Sequence, residues 1–231
     1  MHVNVADYGA VARAFAGCDA LIHLAAIPQP GGHPDHEVHN TNVVGSYNAP
    51  RAAVDAGMTR ICQASSVNAI GHAFSRRARY DYFPLDEAHP SYVEDPYSLS
   101  KSVCEAQADA LVRRYDTEGV AVASLRFHWV VPDRETAAAG YAATPADVPR
   151  MLACYTRLDA AARACLLALT APLAGHETFF IAAPDTAVET PTLALAQAHF
   201  PEVPVRGDLS GNRSFFDSSK AERLLGWSHA S

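Results

Sequence analysis

Apolar positions along this chain fall into short continuous runs separated by stretches with helical spacing. Residues 8–16 carry Val11 and Phe15 on one face and predict a short helix. Asp19-Ala20-Leu21-Ile22-His23-Leu24-Ala25-Ala26 is apolar almost throughout and ends in small residues, which fits a strand buried on both faces, the habit of parallel sheets. Arg60-Ile61-Cys62-Gln63-Ala64-Ser65-Ser66 is a second such run, ending in hydroxyls, and Val120 to Arg126 is a third. Thr178 to Ile181 reads as a further short strand. Between them a helix is expected over about 36–56, stopping at Gly57, with Pro50 inside it to kink or split it. Another begins where Asp95 suits an N-cap and Pro96 the first helical position, and runs to about Tyr115. Helices are also predicted over Asp159–Leu169, Thr192–His199 and Ser218–Leu225, the last stopped by Gly226. Residues 71–94 read as a long irregular loop, and the segment after Arg126 as a Pro- and Ala-rich connection. Strands alternating with helices predict an α/β fold with a mostly parallel sheet. Ligands of such sheets sit beyond the carboxyl ends of the strands, here Leu24-Ala25-Ala26, Ser65-Ser66 and Arg126-Phe127.

Composition narrows the functional classes. The chain has 231 residues, enough for one sizeable core with room for a small second lobe. A net charge of −7 without a basic stripe argues against nucleic-acid and anionic-membrane partners. Arg76, Arg77 and Arg79 cluster, but acidic residues follow at once, so a solvated loop is expected there. The cysteines, Cys18, Cys62, Cys104, Cys154 and Cys165, are odd in number and widely spaced, which reads as reduced thiols in a cytoplasmic protein. No apolar run approaches the ~18 residues of a membrane span, and Met1-His2-Val3-Asn4 has no signal-peptide character.

The chemistry centres on Tyr97 and Lys101. Four residues apart on a helix, they share a face. A free tyrosine, with a pKa near ~10, is a poor base at neutral pH. A nearby ammonium favours the phenolate and is expected to lower that value. The phenol can then exchange a proton with a substrate hydroxyl or carbonyl while a hydride moves elsewhere. Taken alone the pair also fits an ordinary amphipathic helix surface. His33, His36 and His39 stand at three-residue steps, but Pro34 breaks the turn before the last two, and a solvated loop is preferred to a metal site. Ser66 with His72 or His128 suggests a hydrolase triad, but no G-x-S-x-G elbow surrounds the serine. Arg126 fits either a core-edge arginine or a substrate clamp.

Six motifs in register change the weighing. His23-Leu24-Ala25-Ala26, Asn42 within Asn40-Thr41-Asn42-Val43-Val44-Gly45, Ala64-Ser65-Ser66-Val67-Asn68-Ala69-Ile70-Gly71, the Tyr97/Lys101 pair, Leu125-Arg126-Phe127 with Pro132, and Phe216-Asp217-Ser218-Ser219-Lys220 through Leu224-Leu225-Gly226-Trp227 together resemble the extended short-chain dehydrogenase/reductase family of NAD-dependent epimerase/dehydratase type. The serine strand and the short Arg126–Pro132 spacing are similar to its uronate dehydrogenase branch, although Asn68 stands where that branch carries a histidine. The resemblance implies a Rossmann-like doubly wound sheet in a single domain, with residues 1–130 mainly on the cofactor side and 131–231 forming a substrate lobe. It implies Tyr97 as general acid/base, Lys101 as the group that lowers its pKa and holds the nicotinamide ribose, and Ser66 as the hydrogen-bonding partner of the reacting oxygen. Asn4, Val5, Leu24, Ala25, Ala26, Asn42, Ser65 and Phe127 would complete the NAD or NADP site, and Val67, Asn68 and Arg134 would join Ser66 at a sugar or sugar-acid substrate. A homodimer through the Tyr97 helix and its predecessor is the family's expectation.

One departure matters. The family opens with a strand and a G-x-x-G-x-x-G turn, where backbone N–H groups and a helix dipole receive the pyrophosphate. No such turn occurs in this sequence; Gly31-Gly32 follow the Leu24 strand and read as loop. Val3-Asn4-Val5-Ala6-Asp7 resembles the segment after the family's third strand, with Asn4 in place of an acidic residue. A first βαβα portion of roughly 50–60 residues is therefore expected to be missing, through a misplaced gene start with the turn encoded in frame upstream, and the 231-residue chain is expected to bind dinucleotides weakly and to associate. The rival expectation is a non-catalytic binding protein that keeps the site residues without the cofactor cradle.

Overall fold

The computed structural model describes residues 2–230. Four strands form one parallel sheet in the order β1-β2-β3-β6: β1 (Leu21–His23), β2 (Arg60–Ser66), β3 (Ala121–Phe127) and β6 (Gly175–Ile181). Each parallel step needs a crossover, and helices supply it. On one face α1 (Tyr8–Ala14), α2 (Asp35–Asp55) and α3 (Pro96–Arg114) bury Val11, Ala49, Ala53, Val112, Ile61 and Val122 together. On the other, α6 (Leu158–Thr170) and α8 (Ser219–Leu225) close over Cys62, Leu125, Phe179 and Trp227. Trp227 donates its indole N–H to the carbonyl of Ala160 at 2.9 Å, which satisfies the one polar atom of an otherwise apolar plug. This is the doubly wound arrangement the alternating pattern predicts.

Three expectations are corrected. The Asp19–Ala26 run forms only three residues of strand and is not buried on both faces: Ile22 is 37% exposed and Leu24 58%. Among the described strands β1 is an edge, paired with β2 alone. Pro50 does not split the 36–56 helix; α2 runs unbroken through it. Losing one N–H there is tolerated because the neighbouring Ala49, Ala52 and Ala53 pack into the core with Ile61 and Val122 of the sheet, and packing outweighs propensity. The Pro- and Ala-rich connection after Arg126 contains ordered elements: β4 (Val130–Val131), α4 (Arg134–Ala143), one turn of helix α5 (Asp147–Arg150), and β5 (Thr156–Arg157), which pairs in parallel with β4. Asp133 caps α4 by accepting from the Thr136 N–H at 2.7 Å, a start signal hidden behind Pro132.

Residues 71–94 hold no helix or extended strand, yet they are not a surface loop. Tyr80, Phe83 and Leu85 are buried with Phe180, Phe215 and Phe216, and the chain is stitched by Phe83 N–H to Pro204 O at 3.0 Å and Leu85 N–H to Phe215 O at 2.7 Å. α7 (Thr192–His199) lies beside this second core and contributes Leu195 and Ala196.

Gly71 opens this segment at φ +80°, and a Cβ there would stand 2.4 Å from the carbonyl oxygen of Tyr92. Backbone strain and a backbone clash act together, so Gly71→Ala should destabilise the protein by about 2–3 kcal/mol, read by urea denaturation; a change below about 0.5 kcal/mol would contradict the packing of 71 against 92.

Candidate active site

β2 ends where the backbone leaves the sheet, and Ser66 marks the point. Extended at φ −154°, it caps a 3-10 turn over Val67–Ile70. Its hydroxyl oxygen accepts from the Asn68 N–H at 3.1 Å and from the Asn68 side-chain amide at 3.3 Å. With the oxygen's acceptor side occupied, the Ser66 O–H is left to donate.

α3 starts beside this strand end. Asp95 accepts from the N–H groups of Tyr97 and Ser98 at 3.0 and 2.9 Å, so the cap fixes the first turn. Tyr97 is buried, its ring edge-on to Phe74 at 5.6 Å between centroids. One turn on, Lys101 donates from Nζ to the carbonyl oxygen of Ala64 at 2.6 Å, two residues before Ser66. Lys101 and Tyr97 share a face as the spacing requires, with Nζ 5.7 Å from the phenol ring centre.

The expected lowering of the Tyr97 pKa is not what this arrangement does. Burial pushes the phenol up to about 12, and the Ser66 hydroxyl pulls it only partly back. Burial likewise holds Lys101 below the ordinary lysine value, with the nearby Cys104 and Glu105 pulling it back up. Desolvation outweighs attraction here, with the ammonium 5.7 Å from the ring centre and donating to the Ala64 carbonyl. In this structure Tyr97 is a neutral acid throughout the physiological range.

Ser66, Tyr97 and Lys101 open into one cleft of about 520 Å³ at the carboxyl end of the sheet. Leu24, Ala26, Val67, Asn68 and Phe127 also line it. Ala25 and Asn42 face a narrow adjoining recess that also reaches Lys101. Asn42 acts through the backbone: its amide accepts from Ile27 N–H at 2.7 Å, donates to Ile27 O at 3.0 Å, and holds the loop after β1. Ser65 also lines the cleft, with its hydroxyl donating to Glu105 at 2.6 Å. Asn4 and Val5 are not among the cleft residues; Asn4 caps its own turn at Ala6, and Val5 accepts from Asn48.

Arg134 is the clear correction. It pairs with Asp185 at 3.0 Å and donates to Thr186 O at 3.2 Å, outside the cleft. The start of α4 carries it away from the strand end. The arginine that does line the cleft is Arg150, which donates to Ala73 O at 3.1 Å and pairs with Asp147 at 2.8 Å. Trp129, Tyr141 and Met151 complete that wall, and Gly140 is needed there because a Cβ would come within 2.4 Å of the Trp129 ring. No motif in the sequence marks these residues; they reach the cleft only because α4 and α5 fold over it. The two histidines weighed with Ser66 are engaged elsewhere. His72 meets the Tyr80 hydroxyl at 2.5 Å, and His128 accepts from Trp129 N–H at 2.7 Å through Nδ1 and donates to Met151 O at 3.0 Å. Burial lowers the pKa of both, to about 3 for His128, which makes them weak bases, and neither is hydrogen-bonded to Ser66, whose oxygen is held by Asn68.

Arg126 is decided as a core residue. It makes a two-pronged ion pair with Glu105, at 2.9 and 2.8 Å, and is 7% exposed.

Leu24 and Ala25 are exposed and Ala26 is half-buried, an apolar surface beside the buried Lys101 side chain. Gly31 and Gly32, in the loop after β1, have open space where a Cβ would stand.

The chain matches the family model described as the NAD dependent epimerase/dehydratase family over residues 1–137. It is 29% identical over 135 residues to L-arabinose 1-dehydrogenase (NAD(P)(+)) of Haloferax volcanii, covering 56% of this chain and 52% of that protein. It is 38% identical over 69 residues to uronate dehydrogenase of Agrobacterium fabrum, covering 30% of this chain and 25% of that one. The chain thus spans about half the length, or less, of these curated relatives. In structure it is similar to uronate dehydrogenase from Agrobacterium tumefaciens, with a TM-score of 0.66 at 21% identity, over 98% of this chain and 66% of that one, a likeness of fold.

Between pH 10 and about 12 the unfolded chain ionises Tyr97 while the folded chain keeps it neutral. The folded state then binds more protons, so this group withdraws stability as pH rises through that window. Tyr97→Phe should remove that part of the alkaline loss: urea denaturation at about pH 9 and about pH 11.5 should show a smaller fall for the variant than for the parent. Equal falls would mean that the phenol is not held in a desolvated site.

Proposed function

Because this chain belongs to the NAD-dependent epimerase/dehydratase family, we propose that it carries the proton-transfer and substrate side of an NAD(P)-linked oxidoreductase site for a sugar or sugar-acid hydroxyl. The observation that carries this reading is the convergence of the Ser66 hydroxyl, the Tyr97 phenol and the Lys101 ammonium in one cleft beyond the end of β2. The dehydrogenase relatives support the substrate class, and the cofactor class follows from the family.

Oxidation of a carbinol removes a hydride from carbon and a proton from oxygen; reduction of the carbonyl reverses both. A bound nicotinamide dinucleotide supplies the hydride acceptor or donor. Ser66, its oxygen already engaged by Asn68, donates its O–H to the reacting oxygen and fixes its place. Tyr97 exchanges the proton with that same oxygen. As a phenol it can give its proton to the oxygen of a carbonyl being reduced, and as a phenolate it can take the proton of a hydroxyl being oxidised. Lys101 holds the β2 carbonyl and presents its remaining N–H groups toward the ribose side. Leu24, Ala25, Ala26, Asn42 and Phe127 would form the nicotinamide end of the site, with Val67, Asn68 and Arg150 on the substrate side. In this reading residues 1–130 serve mainly the cofactor and 131–231 mainly the substrate. Val44, Tyr47 and Leu99, exposed on α2 and α3, support pairing of two copies through these helices.

With aldoses and uronates as substrates, Tyr97→Phe should lower the rate of nicotinamide reduction by ~10²-fold or more with the fold intact, because only the hydroxyl moves the proton. A variant keeping more than about a tenth of the parent's rate would remove Tyr97 from the mechanism.

A further inference from the structure

Directly beneath the catalytic strand end lies a buried ion pair that the proposed proton transfer does not use. Glu105 stands four residues after Lys101 on α3, on the same face. Its Oε1 accepts from Arg126 Nε at 2.9 Å and from the Ser65 hydroxyl at 2.6 Å, while Oε2 accepts from Arg126 Nη2 at 2.8 Å. Ser65 and Arg126 are direct neighbours across the β2–β3 pairing. One carboxylate thus joins three elements: α3 through its own backbone, β2 through Ser65, and β3 through Arg126. The neighbouring residues on β2 complete the pattern. Ala64 O is held by Lys101, the Ser65 hydroxyl by Glu105, and Ser66 points to the opposite face, into the cleft.

This pair is a poor device for stability. Both partners are nearly buried, at 8% and 12% side-chain exposure, and Arg126 Nη1 has no hydrogen-bond partner. Desolvating two charges offsets most of their attraction, and apolar residues of similar volume in such places are often as stable or more so. What an apolar pair cannot reproduce is direction: a two-pronged guanidinium–carboxylate contact fixes the angle as well as the distance. Phe180 lies under the guanidinium, 5.2 Å from its ring centre, and keeps its plane from swinging.

We propose that Glu105 and Arg126 are positioning residues for the site assigned above: they set the register of α3 against the end of β2, and with it the placement of Lys101 and Tyr97 relative to Ser66. The role rests on the proposed reaction for its kinetic consequence but not for its geometric one. A misplacement of about 1 Å between groups that act on one oxygen is enough to lower a rate by as much as ~10²-fold.

The test uses the double substitution Glu105→Leu/Arg126→Met, which removes both charges and keeps the volume, alongside Arg126→Lys, which keeps the cation and loses the fork. The double variant is expected to melt at or above the parent's temperature, to keep its KM, and to lose at least about tenfold in kcat. Arg126→Lys is expected to fall between the two in kcat. Crystal structures of parent and double variant provide a readout independent of turnover: the distance from Lys101 Nζ to Ala64 O and the placement of the Tyr97 hydroxyl relative to Ser66 should change. Parental kcat at parental stability, or an unmoved Ser66, Tyr97 and Lys101, would overturn the proposal. A double variant that does not fold would assign the pair to stability and overturn it as well. A parent chain with no nicotinamide-linked turnover would count against the proposed reaction alone, and the crystallographic comparison would still decide the positioning role.

Discussion

The ammonium of Lys101 on the carbonyl oxygen of Ala64 fixes where a helix meets the sheet, and the chemistry is built around that contact. A parallel strand reaches its carboxyl end with unpaired backbone groups, and a long crossover must bring the chain back to start the next strand. Here the crossover from β2 to β3 contains α3, and the first turn of that helix lands against the residues where β2 ends. Lys101 satisfies the Ala64 carbonyl, Glu105 the Ser65 hydroxyl, and the Asn68 backbone and amide the Ser66 oxygen. Three successive residues of one strand end are therefore each held by a different partner, which is why a single orientation of Ser66, Tyr97 and Lys101 results.

Burial does the rest of the tuning. The same packing that orients Tyr97 against Phe74 removes water from its phenol and raises its pKa, whereas spacing alone suggested the reverse. A lysine four residues away in a helix is close in sequence terms, but its charge acts where Nζ points, and here that is a backbone carbonyl. Proximity of residue types predicts a shared face; it does not predict which of desolvation and attraction wins.

The far wall of the cleft depends on a different part of the chain. The irregular 71–94 segment and the α4–α5 excursion meet through Arg150 on the Ala73 carbonyl, and together they enclose the space above Ser66. These segments carry neither a period-2 nor a period-3.6 apolar pattern, because the buried residues of 71–94 pack against Phe180, Phe215 and Phe216 and those of α4 against Val131, Tyr155 and Ala183, rather than along one face of a regular element. That is why Arg134 stood out in the sequence and Arg150 did not: one follows a family motif, the other follows only the path of the backbone.

What the sequence by itself determined is the local and the repetitive. Strands β2 and β3, the capped start of α3, the Thr192–His199 helix and the Gly226 stop are legible because each is decided by a few adjacent residues: a continuous apolar run, Asp95 before Pro96, a glycine at φ +66°. The grouping of Ser66, Tyr97 and Lys101 was legible for a related reason, since a helix period and a strand end are enough to bring them to one crevice. The tertiary structure alone decided the exposure of Ile22 and Leu24, the continuity of α2 through Pro50, the raised pKa of Tyr97 and the exchange of Arg134 for Arg150 at the cleft. Each of these turns on which surfaces end up covered, and covering is settled between residues tens of positions apart, where no local pattern in the chain records it.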